Sequence, residues 1–328
     1  MTYNQTGVGS GLRTALIIIT LGLGGLVSVA TVAGFFGSMW WVFDLAANFR
    51  WQMLWIALIC AILYALTAKG IATVVFIGAV VVNGFVIAPA WIGSQPAGTG
   101  EDGVTIVQVD MFGGVEDTEH ALRWLFDTEA DVIVASGVTT GRMEALTVEG
   151  SPYQVLVSPE SEDHSGQVIL ARADLPVTTT LTEGFAEPVY TVSIPSGNTT
   201  IDLVTGWGRI ASDSTRALQL EARLATIESV ISESSNPVTV VGDLGATRFT
   251  HGMRTLRSTT GVRDATEGSG YLSTWPVSDL PVVGGWVGIP IDVVLMSAEL
   301  TPLELTTGPD IGVSHLPVTV TVGPTNGS

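Results

Sequence analysis

Hydrophobic and polar positions follow two regimes that meet near residue 100. Before that point the chain carries three long apolar runs, 14–43, 51–67 and 71–91, broken by short polar stretches. Each is close to the ~20 residues that carry a helix across a bilayer. Lipid offers the backbone no hydrogen-bond partners, so runs of this kind are expected as helices. The first run is too long for a cleaved signal peptide, and two more spans follow it. The pattern therefore predicts a tail over 1–13 and a three-helix transmembrane region over 14–92. A Gly-, Pro- and acid-containing linker follows, "GSQPAGTGEDG" (93–103).

From residue 104 the period changes. Short runs with strand character recur: "VTIVQVD" (104–110), "DVIVAS" (131–136), "YQVLVS" (153–158), "GQVILA" (166–171), "VYTVSI" (189–194), "TIDLVT" (200–205), "PVTVVGD" (237–243), "IDVVLMS" (291–297) and "LPVTVTV" (316–322). Helical spacing appears at about 117–128, 214–234 and 250–260. In the middle run, Leu218, Ala222, Leu224, Ile227, Val230 and Ile231 keep close to a 3.6-residue period. This mixture predicts one α/β domain over 104–328, with two packed sheets and helices outside them.

Charge sharpens the division. Arg13, Asp44, Arg50 and Lys69 are the charged side chains before residue 100. Residues 101–328 hold 10 Arg, no Lys and 30 Asp plus Glu, about −20 by count. A polyanion is repelled by such a domain, so nucleic acid is not an expected partner. Arg13 and Lys69 would sit on one side of the membrane and Arg50 on the other. The positive-inside rule then places the N-terminus in the cytoplasm and residues 101–328 outside it. Trp40, Trp41, Trp51, Trp55 and Trp91 fall near span ends, where aromatic belts form against the lipid bilayer. Gly22, Gly24, Gly25, Ala30, Ala33, Gly34 and Gly37 give the first span small-residue faces for close helix packing. Cys60 reads as a packing residue inside the second span. His120, His164 and His251 lack ligand-like spacing and are expected on the surface. Asn198 opens an Asn-Thr-Thr triplet that matches a glycosylation sequon.

Seven segments occur in an order that carries a family resemblance: "VQVDMFGG" (107–114), "ADVIVASGVTT" (130–140), "DLVTGWGR" (202–209), "VVGDLGAT" (240–247), "LSTWPV" (272–277), "IDVVLMS" (291–297) and "VSHLPV" (313–318). In that order they resemble the endonuclease/exonuclease/phosphatase superfamily over about 220 residues. The resemblance implies a four-layered α/β sandwich. In that family a carboxylate-held Mg²⁺ polarises the phosphoryl group, an Asp positions water, Asn side chains orient it, and a His–Asp pair stabilises charge on the phosphate.

Carried over position by position, the resemblance keeps Asp243, Asp292 and His315. The metal-binding Glu corresponds to Gly137, and the Asn that ends the first strand corresponds to Asp110, nearly isosteric but charged. The family's strand-end His falls roughly on Trp207. The Asn of its "GDFN" falls on Gly245, the His after "ID" on Val293, and the Asp of "SDH" on Ser314. Active-site sets of this kind act as units, and losing single members usually costs orders of magnitude. The expected function is thus a non-catalytic, membrane-anchored accessory or scaffold subunit without metal or cofactor. Its partners would be subunits of a membrane complex. The overall plan resembles actinobacterial membrane proteins, and by that analogy the complex is a respiratory cytochrome assembly.

Two alternatives remain open. One is an active Mg-dependent phosphodiesterase or phosphatase rebuilt from Asp110, Asp243, Asp292 and His315, with help from Glu116 or Glu119. The other is a receptor for a phosphorylated ligand. Geometry discriminates. An active site requires those four side chains to converge around an open polar pocket, whereas Trp207, Val293 or Leu244 filling that space argues against catalysis. On the structural reading, Asp243 caps a turn, Asp292 and His315 lock two strand ends together, and "TWP" is a rigid turn over Trp275.

Overall fold

The computed structural model describes residues 6–68, 70–98, 100, 103–112, 118–146, 151–159, 166–184, 188–276 and 287–326. Glu116, His164 and Lys69 lie outside the described residues, as does the side chain of Glu119. The chain divides into two compact units, one comprising mainly residues 1–89 and the other mainly residues 90–328.

In the first unit, α1 (Thr6–Ala33), α3 (Arg50–Thr67) and α4 (Ile71–Ile87) pack together, with short α2 (Trp41–Ala47) between the first two; α5 (Pro89–Ile92) follows α4. Three segments are long and apolar enough to cross a membrane, Gly11–Ala33, Arg50–Thr67 and Ile71–Ile92. The first is shorter than its apolar run, because the helix ends at Ala33 and Trp40 and Trp41 lie beyond it. Val27, Met53, Ala57 and Ala79 form one buried cluster, and Cys60 packs in another with Ala61 and Phe76. Gly24 meets the Phe76 ring, so part of the small-residue face is used inside the bundle, while Gly22 and Gly25 face open space.

Arg50, placed by the sequence between the first two apolar runs, is the first residue of α3 and is fully buried. Its guanidinium donates to Thr31 O at 2.8 Å and Asn83 Oδ1 at 3.3 Å, and the Asn83 amide donates to Thr31 Oγ1 at 2.8 Å. Paired polar groups of this kind tie helices together where no water competes. At the opposite bundle end Arg13 donates twice to Thr67 O, at 2.9 and 2.6 Å, placing a cation on the C-terminus of α3.

The second unit holds two six-stranded sheets. Its elements in chain order are β1 (Val104–Asp110), α6 (Thr118–Asp127), β2 (Val132–Val138), α7 (Thr140–Leu146), β3 (Tyr153–Val157), β4 (Gly166–Arg172), β5 (Thr178–Thr182), β6 (Val189–Ser196), β7 (Thr199–Thr205), α8 (Ser214–Glu233), β8 (Val238–Asp243), α9 (His251–Thr260), β9 (Arg263–Asp264), β10 (Asp292–Met296), β11 (Leu300–Thr307) and β12 (Val318–Pro324). One sheet runs β11-β12-β1-β2-β4-β3 and the other β5-β6-β7-β8-β10-β9. The β1–β2 and β7–β8 pairs are parallel and the others antiparallel.

Alternation along the strands creates the layers, since successive side chains point to opposite faces. In β1, Val104 and Ile106 face the other sheet, joining Val132, Ile169, Leu203, Val241 and Val294 in the central core. Val107 and Val109 face the other way, into the layer with Leu125 of α6. The second sheet has a matching outer layer where Val240 and Leu295 meet Leu224, Ile227 and Met253 of α8 and α9. Helices, two sheets and helices again make the four-layered α/β sandwich expected from the sequence. The composition-defined linker is partly held to this unit: Gln95 donates to Asp264 O at 2.9 Å, and Thr301 donates to Pro96 O at 2.7 Å.

Candidate functional site

The inward alternation does not stop where the apolar core stops. Continuing the series 104, 106, 108 along β1 leads to Asp110; 241 on β8 leads to Asp243; 294 on β10 leads back to Asp292. Asp243 and Asp292 are direct partners in the antiparallel register of β8 and β10. Like charges placed opposite one another repel, and His315 lies against both. Its Nδ1 is 2.9 Å from Asp292 Oδ2, and its Nε2 is 3.9 Å from Asp243 Oδ2. The structure thus brings together Asp110, Asp243, Asp292 and His315, all four named from the sequence. One oxygen each from Asp110 and Asp243 and one His315 nitrogen lie within 4.8 Å of one another.

The cluster is closed. Asp110, Asp243, Asp292 and His315 are 1%, 5%, 5% and 6% exposed. Trp207 donates its indole N–H to Asp110 Oδ2 at 2.7 Å, and its ring lies 5.9 Å from that of Phe112. The other Asp110 oxygen accepts from Phe112 N at 2.8 Å and from Ser314 Oγ at 3.2 Å. Ser314, standing where the resemblance places an Asp, therefore secures the Asp110 carboxylate. Asp243 Oδ1 accepts from Gly245 N at 2.8 Å, the turn-capping role expected of an Asp at a strand end.

Trp207 alone among the three candidate fillers occupies this side. Val293 and Leu244 belong to the helix-facing core of the second sheet. Val293 follows Asp292 in β10, and alternation turns it away from the cluster.

Two glycines define what the site can hold. Gly137 has φ +66°, and a Cβ built there would lie 2.5 Å from Phe112 N and 2.7 Å from Phe112 Cα. Gly245 has φ +76°, and its Cβ would run into the carbonyl oxygen of Arg209. Neither position accepts the side chain that the resemblance would put there without backbone movement.

Burial governs the electrostatics. Desolvation raises the Asp243 pKa well above the usual carboxylate range, and Asp292 adds to the rise while His315 opposes it. Desolvation also raises Asp110, with His315 and the Phe112 and Trp207 hydrogen bonds pulling the other way. For His315, burial alone lowers the pKa, but the attraction and hydrogen bond of Asp292, followed by Asp243 and Asp110, push it up to about 10. Asp110, Asp243 and His315 are thus all shifted toward their protonated forms.

The family chemistry implies Mg²⁺, which demands oxygen ligands and usually retains several waters. The donors here do not fit it. Both oxygens of Asp110 are engaged by protein donors, the position of the expected Glu is sterically shut, and the whole set is buried.

Signals outside the cluster divide. Trp275 stacks obliquely near His315, with ring centroids 6.3 Å apart. His120 is exposed and His251 half-buried, and Asn198 is exposed in the β6–β7 turn. Sequence reasoning did not anticipate Arg223, a buried α8 residue that donates to Leu244 O at 3.1 Å behind the "GDLG" turn. Its polar position in an otherwise amphipathic helix was the available signal.

No protein-family model matches the sequence. No curated protein sequence matches it either. Solved structures do match in fold. Zebrafish TDP2 (D. rerio), solved with a single-strand DNA product, aligns with TM-score 0.52 at 16% identity, covering 68% of this chain and 100% of that one. An endonuclease/exonuclease/phosphatase family protein from Leptotrichia buccalis aligns with TM-score 0.51 at 13% identity, covering 67% and 99%. The human Nocturnin catalytic domain, solved with bound sulfate, aligns with TM-score 0.51 at 12% identity, covering 71% and 97%. The chain carries an endonuclease/exonuclease/phosphatase-type fold behind three helices long and apolar enough to span a membrane.

Proposed function

We propose that this chain is a non-catalytic, membrane-anchored accessory subunit that uses an endonuclease/exonuclease/phosphatase-type fold as an interaction domain. The observation that carries the reading is the closed site. Asp110 is held by Trp207, Phe112 and Ser314, and a Cβ at position 137 would press on the Phe112 backbone. A fold kept without its chemistry retains its surfaces, and here those are an acidic domain and the outer faces of the membrane helices. The domain lies outside the cytoplasm in this reading, in line with Arg13 near the start of α1. The partners are subunits of a larger membrane complex, with a respiratory cytochrome assembly as the candidate, and nucleic acid is not among them.

The convergence of Asp110, Asp243 and His315 within 4.8 Å favours a second reading, a rebuilt Mg-dependent phosphodiesterase or a phospho-ligand receptor. It requires the Trp207 indole to swing away from Asp110.

Tagged full-length protein, purified in mild detergent, is expected to bring down a membrane complex in fixed stoichiometry, measured by quantitative mass spectrometry. A clean monomer without stoichiometric companions contradicts the accessory-subunit reading.

A further inference from the structure

Each sheet ends in two edge strands, and an exposed edge invites pairing with another chain unless something blunts it. Three of the four edges are blunted. β3 carries a register break between Val155 and Val157. β11 carries Pro302 and a break between Pro302 and Glu304. β9 is two residues long. The fourth edge, β5, has none of these devices. It pairs with β6 in unbroken register over Thr178–Thr182. Its sequence, "TTTLT", contains no charge, Pro or Gly, and Thr178 to Leu181 are all exposed, Leu181 at 45%. Among the described residues β5 is hydrogen-bonded on one side only.

We propose that the free edge of β5 docks an extended segment of a second protein, a β-branched strand flanked by Arg or Lys, which continues the second sheet. Main-chain hydrogen bonds along the edge supply affinity, and alternate side chains supply selectivity. Charge selects this occupant over a second copy. Exposed Glu183 directly follows the strand, in a domain with 30 acidic residues, 10 Arg and no Lys. Another copy brings the same negative field, whereas a basic-flanked strand is attracted to it. The partner's identity as a complex subunit rests on the accessory-subunit reading; the edge itself is independent of it, and the experiment below reads the edge alone.

The probe is a fluorescent synthetic peptide, Arg-Arg-Thr-Val-Thr-Val-Thr-Arg-Arg, titrated by anisotropy against full-length protein in detergent micelles. Saturable binding is expected. A Pro in place of the first Val should weaken it about tenfold, the scale of one or two lost backbone hydrogen bonds. Thr180→Pro in the protein should do the same, while Thr180→Val binds as the unaltered protein does. The proline peptide keeps the test decisive even if Thr180→Pro does not fold. Absence of saturable binding, or equal binding of the proline peptide through charge alone, overturns the proposal. Concentration-dependent dimerisation that Thr180→Pro abolishes overturns it too, by assigning the edge to a second copy.

Discussion

Gly137→Glu, which places a carboxylate where the resemblance puts that family's metal ligand, is expected to unfold the domain. The backbone at Gly137 has φ +66°, a region that costs a residue with a Cβ about 1–3 kcal/mol. The Cβ would also press on the backbone of Phe112 at 2.5 Å, where no flexible side chain can yield. Together these should cost about 4 kcal/mol or more, at the extreme of single-site effects. Urea denaturation of the full-length protein in detergent, followed by tryptophan fluorescence, measures this. Gly166→Ala on β4 is the control, because its Cβ would meet Pro159 at an ordinary 3.5 Å. A stable Gly137→Glu protein would mean that the β2 end is more yielding than its packing against Phe112 implies.

The second large effect belongs to the buried pair of His315 and Asp292. Replacing Asp292 by Ala removes the partner at 2.9 Å and leaves His315 buried without it. Breaking one side of a buried ion pair typically costs about 3–5 kcal/mol. The same cluster fixes how stability responds to pH. His315 holds its proton up to about pH 10 when folded and up to about 6.5 when unfolded. Its contribution is therefore fully present below the unfolded value and is lost as pH rises through the folded one. Asp110 and Asp243 are also raised on folding, so they too retain protons that the unfolded chain releases above the usual carboxylate range. All three shifts have the same sign: the folded state binds more protons, so stability falls as pH rises. Urea midpoints measured with chelator present should decline from about pH 6 toward pH 10, and His315→Asn should flatten that decline. Stability that instead climbs over this range would contradict the assigned protonation.

Much of this architecture is legible in the sequence because alternation is a local property. "VTIVQVD" shows which β1 residues share the inner face and that the series ends in Asp110. The same reasoning on "IDVVLMS" separates Asp292, facing in, from Val293, facing the helices. β5 escaped notice because "TTTLT" has strand propensity without an apolar alternation, its side chains being exposed on both faces. The burial of Arg50 is not legible in the sequence because its acceptors, Thr31 and Asn83, lie 19 and 33 residues away in the chain. Gly137 was visible as a missing carboxylate, but its closure depends on Phe112, which reaches it only through the pairing of β1 with β2. Trp207 could be named as a candidate filler from its place in "DLVTGWGR"; its hydrogen bond to Asp110 is a long-range contact that spacing does not encode.

The most direct test of the account is metal-dependent phosphodiester hydrolysis by the purified full-length protein. Bis-p-nitrophenyl phosphate is the substrate, with Mg²⁺ and then Mn²⁺ added, and Asp243→Ala is the matched control. The account predicts a rate indistinguishable from that control and unchanged by chelator. A metal-dependent rate that falls by about a hundredfold or more in Asp243→Ala, the scale of losing one essential catalytic group, would contradict it and make the buried cluster an active site.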